Sequence, residues 1–319
     1  MAKPRSLAPN SAPDTLTFLL AFAAIYIIWG STFLAIRFAV QTLPPLLMMG
    51  TRHLVAGAIL LAWMLFRSDV RPEPRLWLSA SFSAAFCFLG CHGLLAWAEL
   101  RVPSGLAALL AATLPIWMVV LARARGQEHE LTPKVLAGIF LGLAGVAILV
   151  PFGIHGHQRA VFFSAMAIVV GEVLWAVGAI YSRGVKTKTP VMTFAAMQMF
   201  VGGIQLCIVG LIFGEGSRVH AADFTVLSVA SLLFLILFGS LVTFTAYTWL
   251  LKVSSPAVVS THSYVNPLVA VFLGWMLASE KVTARTMIGT VIILASVALT
   301  SLRKKREPDA DQLAAEAAS

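Results

Sequence analysis

Few side chains in this sequence can do chemistry, and those that can stand alone inside long apolar runs. Glu172 sits in "VVGEVLWAVG" and Arg52 in "MMGTRHLVAG". An ionised group placed at the centre of a membrane costs about 2.5–3.5 kcal/mol on insertion scales, so such a residue is expected to face a cavity or a partner. Glu172 reads as a proton-coupling group or as the acceptor of a substrate amine, since burial raises a carboxyl into a useful range. The alternatives are an ion pair with Arg52 and a carboxyl that stays protonated and hydrogen-bonded. Arg52 has the fork geometry to hold a substrate carboxylate through two parallel bonds, and also the length to snorkel toward a membrane face. His53, His92 and His262 each offer a proton relay or a hydrogen bond between helices.

The aromatic residues divide into two groups. Trp29, Trp97, Trp175, Tyr247, Trp249 and Tyr264 are candidates for a cavity lining, which suits aromatic or ammonium-bearing cargo; helix packing is the other reading. Trp63, Trp77 and Trp117 are expected at the lipid or its interface. Pro115 and Pro267 stand in mid-run, where each removes a backbone hydrogen bond and permits a kink, and are expected as hinges or gates. Asn266 is placed to satisfy groups freed nearby. Gly138, Gly142 and Gly145 make a close-packing face, for the fold itself or for a dimer. Cys87 and Cys91, four apart on one helical face, are expected to pack. No CxxC or His/Cys ligand spacing occurs, so no metal or cofactor is expected.

The elements that must position these residues follow from composition. With 59% apolar and 12% charged residues and a mean hydropathy of +0.88, the chain lacks the charge to cover a soluble surface. Its apolar runs reach about 20 residues, the length a helix needs to cross a bilayer. The alternating ~10-residue segments of a membrane β-barrel do not occur. Ten spans are expected, at about 18–37, 44–66, 76–98, 103–124, 132–150, 160–182, 190–213, 224–250, 256–278 and 283–302. Pro44, Pro103, Pro190 and Pro256 suit first-turn positions. The polar stretch before Phe18 is short and no A-x-A cleavage site follows, so the first span is expected to be retained.

Lysine and arginine then set the orientation. Taking the N-terminus, alternate loops and the C-terminus together collects sixteen of them, against six on the opposite side, with Arg52 left inside a span. The positive-inside bias puts both termini in the cytoplasm, which an even span count satisfies. The net charge of +9 therefore speaks of topology and not of nucleic acid.

The chain also repeats itself. Trp29 and Trp175, Arg37 and Arg183, Pro44 and Pro190, and Gly57 and Gly203 are each 146 positions apart. Trp97 and Trp249, Pro115 and Pro267, and Glu128 and Glu280 are 152 apart. Two five-span halves result, 18–150 and 160–302, flanked by a cytoplasmic segment 1–17 and a tail 303–319 expected to be disordered. Five is odd, so the second half enters the membrane upside down relative to the first. Inverted repeats of this kind enclose a midplane site in alternating-access transporters.

The residues that carry this pattern resemble a known family, the EamA-type permeases of the drug/metabolite transporter superfamily. The resemblance rests on "WGSTF" (29–33), Pro44 and Pro45 followed by Arg52, and "VPSGLAALL" (102–110) with Pro115. In the second half it rests on "SSPAVVS" (254–260), "YVNPLVAVFLG" (264–274) and Glu280. It covers about residues 18–302 and looks most like the bacterial exporters of amino acids and related metabolites. It implies an all-α, ten-helix fold with a central cavity, in the inner membrane of a bacterium, with both termini inside. Members share the arginine at Arg52, which favours a general packing or gating role for it. Two positions depart from the pattern: His53, where an aromatic residue is usual, and Glu172, where a small or apolar one is.

The expected activity is export of an amino acid or similar metabolite by alternating access, with proton antiport through Glu172 or passive facilitated export as the mechanism. Multidrug efflux and a channel are the rivals. The partners expected are a small-molecule substrate and the lipid bilayer, with monomer and homodimer left open. No Walker motif supplies ATP chemistry, and no aspartate pair in the spans, HExxH or GxSxG supplies an intramembrane enzyme.

Overall fold

A computed structural model describes residues 14–67, 72–126, 132–150 and 156–301. The N-terminal residues before 14, Glu128 and the tail 303–319 lie outside the described residues. Among the described residues every regular element is helical.

Seven helices among the described residues are long and apolar enough to cross a membrane. They are α1 (Thr15–Ala39), α2 (Pro45–Arg67), α3 (Pro74–Ala98), α4 (Ser104–Ala124), α6 (Gln158–Gly184), α7 (Val191–Ile212) and α8 (Val226–Val253). Three shorter apolar helices complete the set: α5 (Pro133–Leu149), α9 (His262–Ala278) and α10 (Ala284–Thr300). Proline marks the starts slightly earlier than expected. Pro103 and Pro190 are N-caps rather than first-turn residues, and Pro256 opens a single turn, Pro256–Val259, ahead of α9. An N-cap wants a non-helical φ/ψ, and the fixed φ of proline suits the extended conformation found there.

Few of these helices run straight. Wide π turns interrupt α1 at Ala24–Ile28, α3 at Ala85–His92 and α8 at Leu235–Val242. Helix α4 stops at Ala111 and restarts at Leu114. Pro115 explains that break: it has no N–H to offer the carbonyl four residues back, which belongs to Ala111, and its ring crowds that carbonyl. The Thr113 hydroxyl repairs the gap locally by donating to Leu110 O at 2.7 Å. Pro267 falls in the second turn of α9, not in mid-helix as expected, because the chain breaks at Ser260–Thr261 before it.

Packing is pairwise and close. Helix α2 lies against α7, α5 against α10, α1 against α8 and α9, and α6 against α3 and α4. At the α2–α7 crossing, a Cβ on Gly57 would strike the backbone of Phe200, and one on Gly203 would strike that of Leu54. Only glycine lets the backbones approach so far. Gly138, Gly142 and Gly145 are buried against Thr300, Ser296 and Ile293 of α10, so this face serves the fold itself. Ser296 Oγ donates to Gly138 O at 2.7 Å across the same seam.

Candidate functional site

Polar and aromatic side chains gather where the π turns of α3 and α8 face α6, α2 and α1. One turn of α6 presents both Glu172 and Trp175 to the α3 π turn. Glu172 is buried, 6% exposed, and its Oε1 accepts from Cys91 Sγ at 3.6 Å. The Trp175 ring lies 5.0 Å from His92 and 6.0 Å from Phe88. His92 Nδ1 meets His53 Nε2 at 2.8 Å, and the two rings stack. One of these nitrogens carries the shared proton. His53 Nδ1 has no partner and is buried, an unspent polar atom that is unusual in a packed interior.

The preceding residue of α2 turns the other way. Arg52 Nε donates to Ser240 Oγ, in the α8 π turn, at 3.1 Å. Trp29 of α1 donates through Nε1 to Gly239 O in the same turn at 3.2 Å. Its ring lies 5.2 Å from both Tyr247 and His262. Arg52 and His53 therefore join two aromatic clusters, one around Trp175 and one around Trp29. A π turn leaves backbone groups unevenly paired and commonly marks a functional site, and here such carbonyls take the indole and the side chains around it.

The alternative ion pair of Glu172 with Arg52 is not formed: Glu172 meets Cys91, and Arg52 meets Ser240 and, at 3.7 Å, Met49 Sδ. Arg52 turns to α8 while His53 faces the Trp175 cluster because adjacent residues point about 100° apart on a helix. With its amide oriented to satisfy its neighbours, Asn266 donates to Ile25 O at 2.9 Å and Tyr26 O at 3.1 Å, carbonyls of the α1 π turn. Tyr264 lies outside the clusters and donates to Val297 O of α10 at 3.2 Å. Trp97 is also outside them, 37% exposed with Arg101 over its ring at 5.2 Å. Trp63 is exposed under Arg67. Pro115 and Pro267 lie within α4 and α9. No group of three or more His, Cys, Asp or Glu able to hold a metal occurs among the described residues.

Sequence reasoning missed several residues. Gln198, 146 positions after Arg52, donates to Ser83 Oγ and Ser182 Oγ, both at 2.7 Å; the repeat offset was the signal that could have found it. Ser240 and Glu99 carried no such mark. Glu215 was also missed: its carboxylate accepts from the N-terminal amides of α2, Leu46 at 3.2 Å and Leu47 at 2.9 Å. Glu280 does the same for α4, accepting from Ser104 N at 2.7 Å, Ser104 Oγ at 2.9 Å and Gly105 N at 3.1 Å. A carboxylate at a helix N-terminus completes amides that the helix leaves open. A cavity of about 400 Å³ opens beside Glu280, lined by Arg101, Gln158, Lys281 and Arg285, away from the aromatic clusters.

A model of the EamA-like transporter family matches the chain twice, over residues 16–150 and 162–302. The uncharacterized inner membrane transporter YedA of Escherichia coli (strain K12) is 36% identical over 286 residues, spanning 89% of this chain and 90% of that one. A probable amino-acid metabolite efflux pump of the same strain is 24% identical, over 85% of this chain and 90% of its own. A crystal structure 21% identical superposes with a TM-score of 0.60 over 97% of this chain and all of its own, which speaks for the fold alone. Apolar helices with buried polar residues at their crossings, together with these matches, define an integral membrane transporter, a permease and not an enzyme. The chain belongs to the EamA-like transporter family, within the drug/metabolite transporter superfamily.

Proposed function

We propose that the protein exports amino acids or related small metabolites across the cytoplasmic membrane by alternating access between two inverted halves of five spans each. The observation that carries the reading is the α2–α7 crossing. Gly57 meets Phe200 there and Gly203 meets Leu54; adding 146 to 57 and 54 gives 203 and 200, so the two contacts are the same contact with the partners exchanged. A two-fold relation between the halves produces that exchange. The rest of the packing agrees with it: α1 crosses to α8 and α9 as α6 crosses to α3 and α4, and the eight-residue π turns begin at Ala85 and Leu235.

Counting the three shorter helices as spans makes ten. The 17 residues of α5 and of α9 measure about 26 Å, at the short end of what spans hydrocarbon. Lysine and arginine place both termini, the α2–α3 loop and the α6–α7 loop in the cytoplasm. The Glu215, Glu280 and Glu99 end then faces outward.

Cargo recognition falls to Arg52 for a carboxylate and to the Trp29 and Trp175 clusters for an apolar or cationic part. Glu172, buried with one weak thiol donor, exchanges a proton for cargo. Pro115, beside the α4 break, and Pro267, which has no N–H for the carbonyl a turn earlier in α9, are the hinges about which the halves rock. The relative named as an amino-acid metabolite efflux pump supports the cargo class. The test is counterflow in proteoliposomes: vesicles loaded with one unlabelled amino acid should accumulate its labelled form transiently. Efflux of hydrophobic drugs with no amino-acid counterflow would move the cargo to the multidrug class. Flux without trans-stimulation would favour a channel, and counterflow that ignores an imposed pH gradient would favour a uniporter.

A further inference from the structure

Glu99 is the least explained polar residue in the fold. It caps the end of α3 and is 0% exposed, and neither carboxyl oxygen has a hydrogen-bond partner. Its surroundings are charged. Arg37 of α1 donates to the Glu99 main-chain carbonyl, leaving the carboxyl itself unbonded. Arg52 of α2 and Glu280 of the loop ahead of α10 are the other ionisable groups acting on it. Three residues on, Val102 is fully buried, and Ser104 and Gly105 are held by Glu280. This end of the molecule is shut by bonds between loops, with a bare carboxyl walled in behind them. An ionised carboxylate left unbonded in such a place is heavily penalised, whereas a neutral acid is tolerated.

We propose that Glu99 is a second proton-binding residue of the transport cycle, a neutral acid while the outer side is shut and a carboxylate when that side opens to water. The inference rests on the alternating-access reading and extends it with a residue for the exit side. Burial pushes the Glu99 carboxyl well above the ordinary carboxylate range; Arg37 draws it back, Glu280 pushes it further and Arg52 draws it down. Once exposed to water it returns toward the ordinary range, near 4. Closure is therefore favoured most below about pH 4 and loses that advantage as the outer pH climbs toward the raised value, by at most about tenfold per unit for one proton. The released carboxylate has Arg37 and Arg52 to attract it, which stabilises the open form.

The experiment labels Val102→Cys from outside with a membrane-impermeant maleimide, on the full chain in right-side-out vesicles, at outer pH 5 to 8. Labelling is subtracted for the parent chain and divided by that of Ser217→Cys, an exposed outer-loop reference that corrects for thiol ionisation. The expected result is corrected labelling that rises severalfold with pH, is flat and low with Glu99→Gln added, and rises again with Glu99→Asp. The same pH response in Glu99→Gln overturns the proposal, as does a response lost only in Glu280→Gln. Labelling that answers to substrate but not to pH overturns it while sparing alternating access. A Val102→Cys site that never labels under any condition overturns both. Fluorescence-detected size exclusion of each variant reports folding, and Glu99→Asp carries the test if Glu99→Gln fails to fold.

Discussion

At the residue scale, the decisive feature is that charge inside the bundle is left nearly unspent. Arg52 uses Nε on Ser240 and Nη1 only on the weak acceptor Met49 Sδ, at 3.7 Å. If its fork takes a substrate carboxylate, Arg52→Lys keeps the charge and loses the paired geometry. The expected outcome is a KM for carboxylate-bearing cargo raised about tenfold or more, the equivalent of ~1.4 kcal/mol, with little change in folding. Unchanged KM would assign Arg52 to packing. Glu172 is tested differently. Glu172→Gln keeps the volume and removes the titration, so a proton antiporter should lose its response to an imposed pH gradient while still exchanging cargo for cargo. A response that survives in Glu172→Gln removes the proton role. Glu172 and Arg52 were legible in the sequence because a charge in an apolar run is conspicuous. Whether the two pair was left open by the sequence, and the structure gives them different partners, Cys91 and Ser240.

At the element scale, glycine and proline set how close helices come and where they bend. Gly57→Ala drives a Cβ into the Phe200 backbone, which cannot swing aside as a side-chain end can. Overpacking of this kind costs about 1–3 kcal/mol, so the detergent-solubilised protein should melt several degrees lower. Gly184→Ala, with nothing within 4 Å of the added Cβ, should melt within about a degree of the parent. Equal melting of the two variants would deny the close crossing. The helices themselves could be read from apolar run length, and the α4 break from Pro115. The π turns were not read: "AFCFLGCH" and "LILFGSLV" have no proline, and the single glycine in each, Gly90 and Gly239, is a weak signal that ordinary helices also tolerate.

At the scale of the whole molecule, the prediction is topology. A C-terminal green fluorescent protein should glow and a C-terminal alkaline phosphatase should be inactive, while phosphatase fused after Ser217 should be active. Odd span counts or a reversed orientation give the opposite signals, and would remove the outward placement of Glu99 on which the pH argument depends. The two-fold exchange at Gly57 and Gly203 also predicts reach: a lesion in one half should impair transport as its mate does in the other. Gly203→Ala should therefore behave like Gly57→Ala in both melting and flux.

The sequence by itself determined that the chain is a membrane protein of apolar helices, and it carries the offsets of 146 and 152 residues. Each depends on composition or period along the chain, and hydrocarbon leaves a backbone little choice except helix. It also marked Trp29, Trp175, Glu172 and Arg52, because rare polar or large residues in apolar runs stand out. It could not tell which of them meet. Trp97 and Tyr264 were equal candidates on paper, yet one faces outward under Arg101 and the other ties α9 to α10. Only the tertiary structure sorted these, since which face of a helix turns inward depends on the crossing angle and register of its neighbours. Glu99 shows the same limit most plainly: nothing in "WAELRVPSG" marks its carboxyl as buried, and it became conspicuous only when α1, α2 and the loop of Glu280 closed around it.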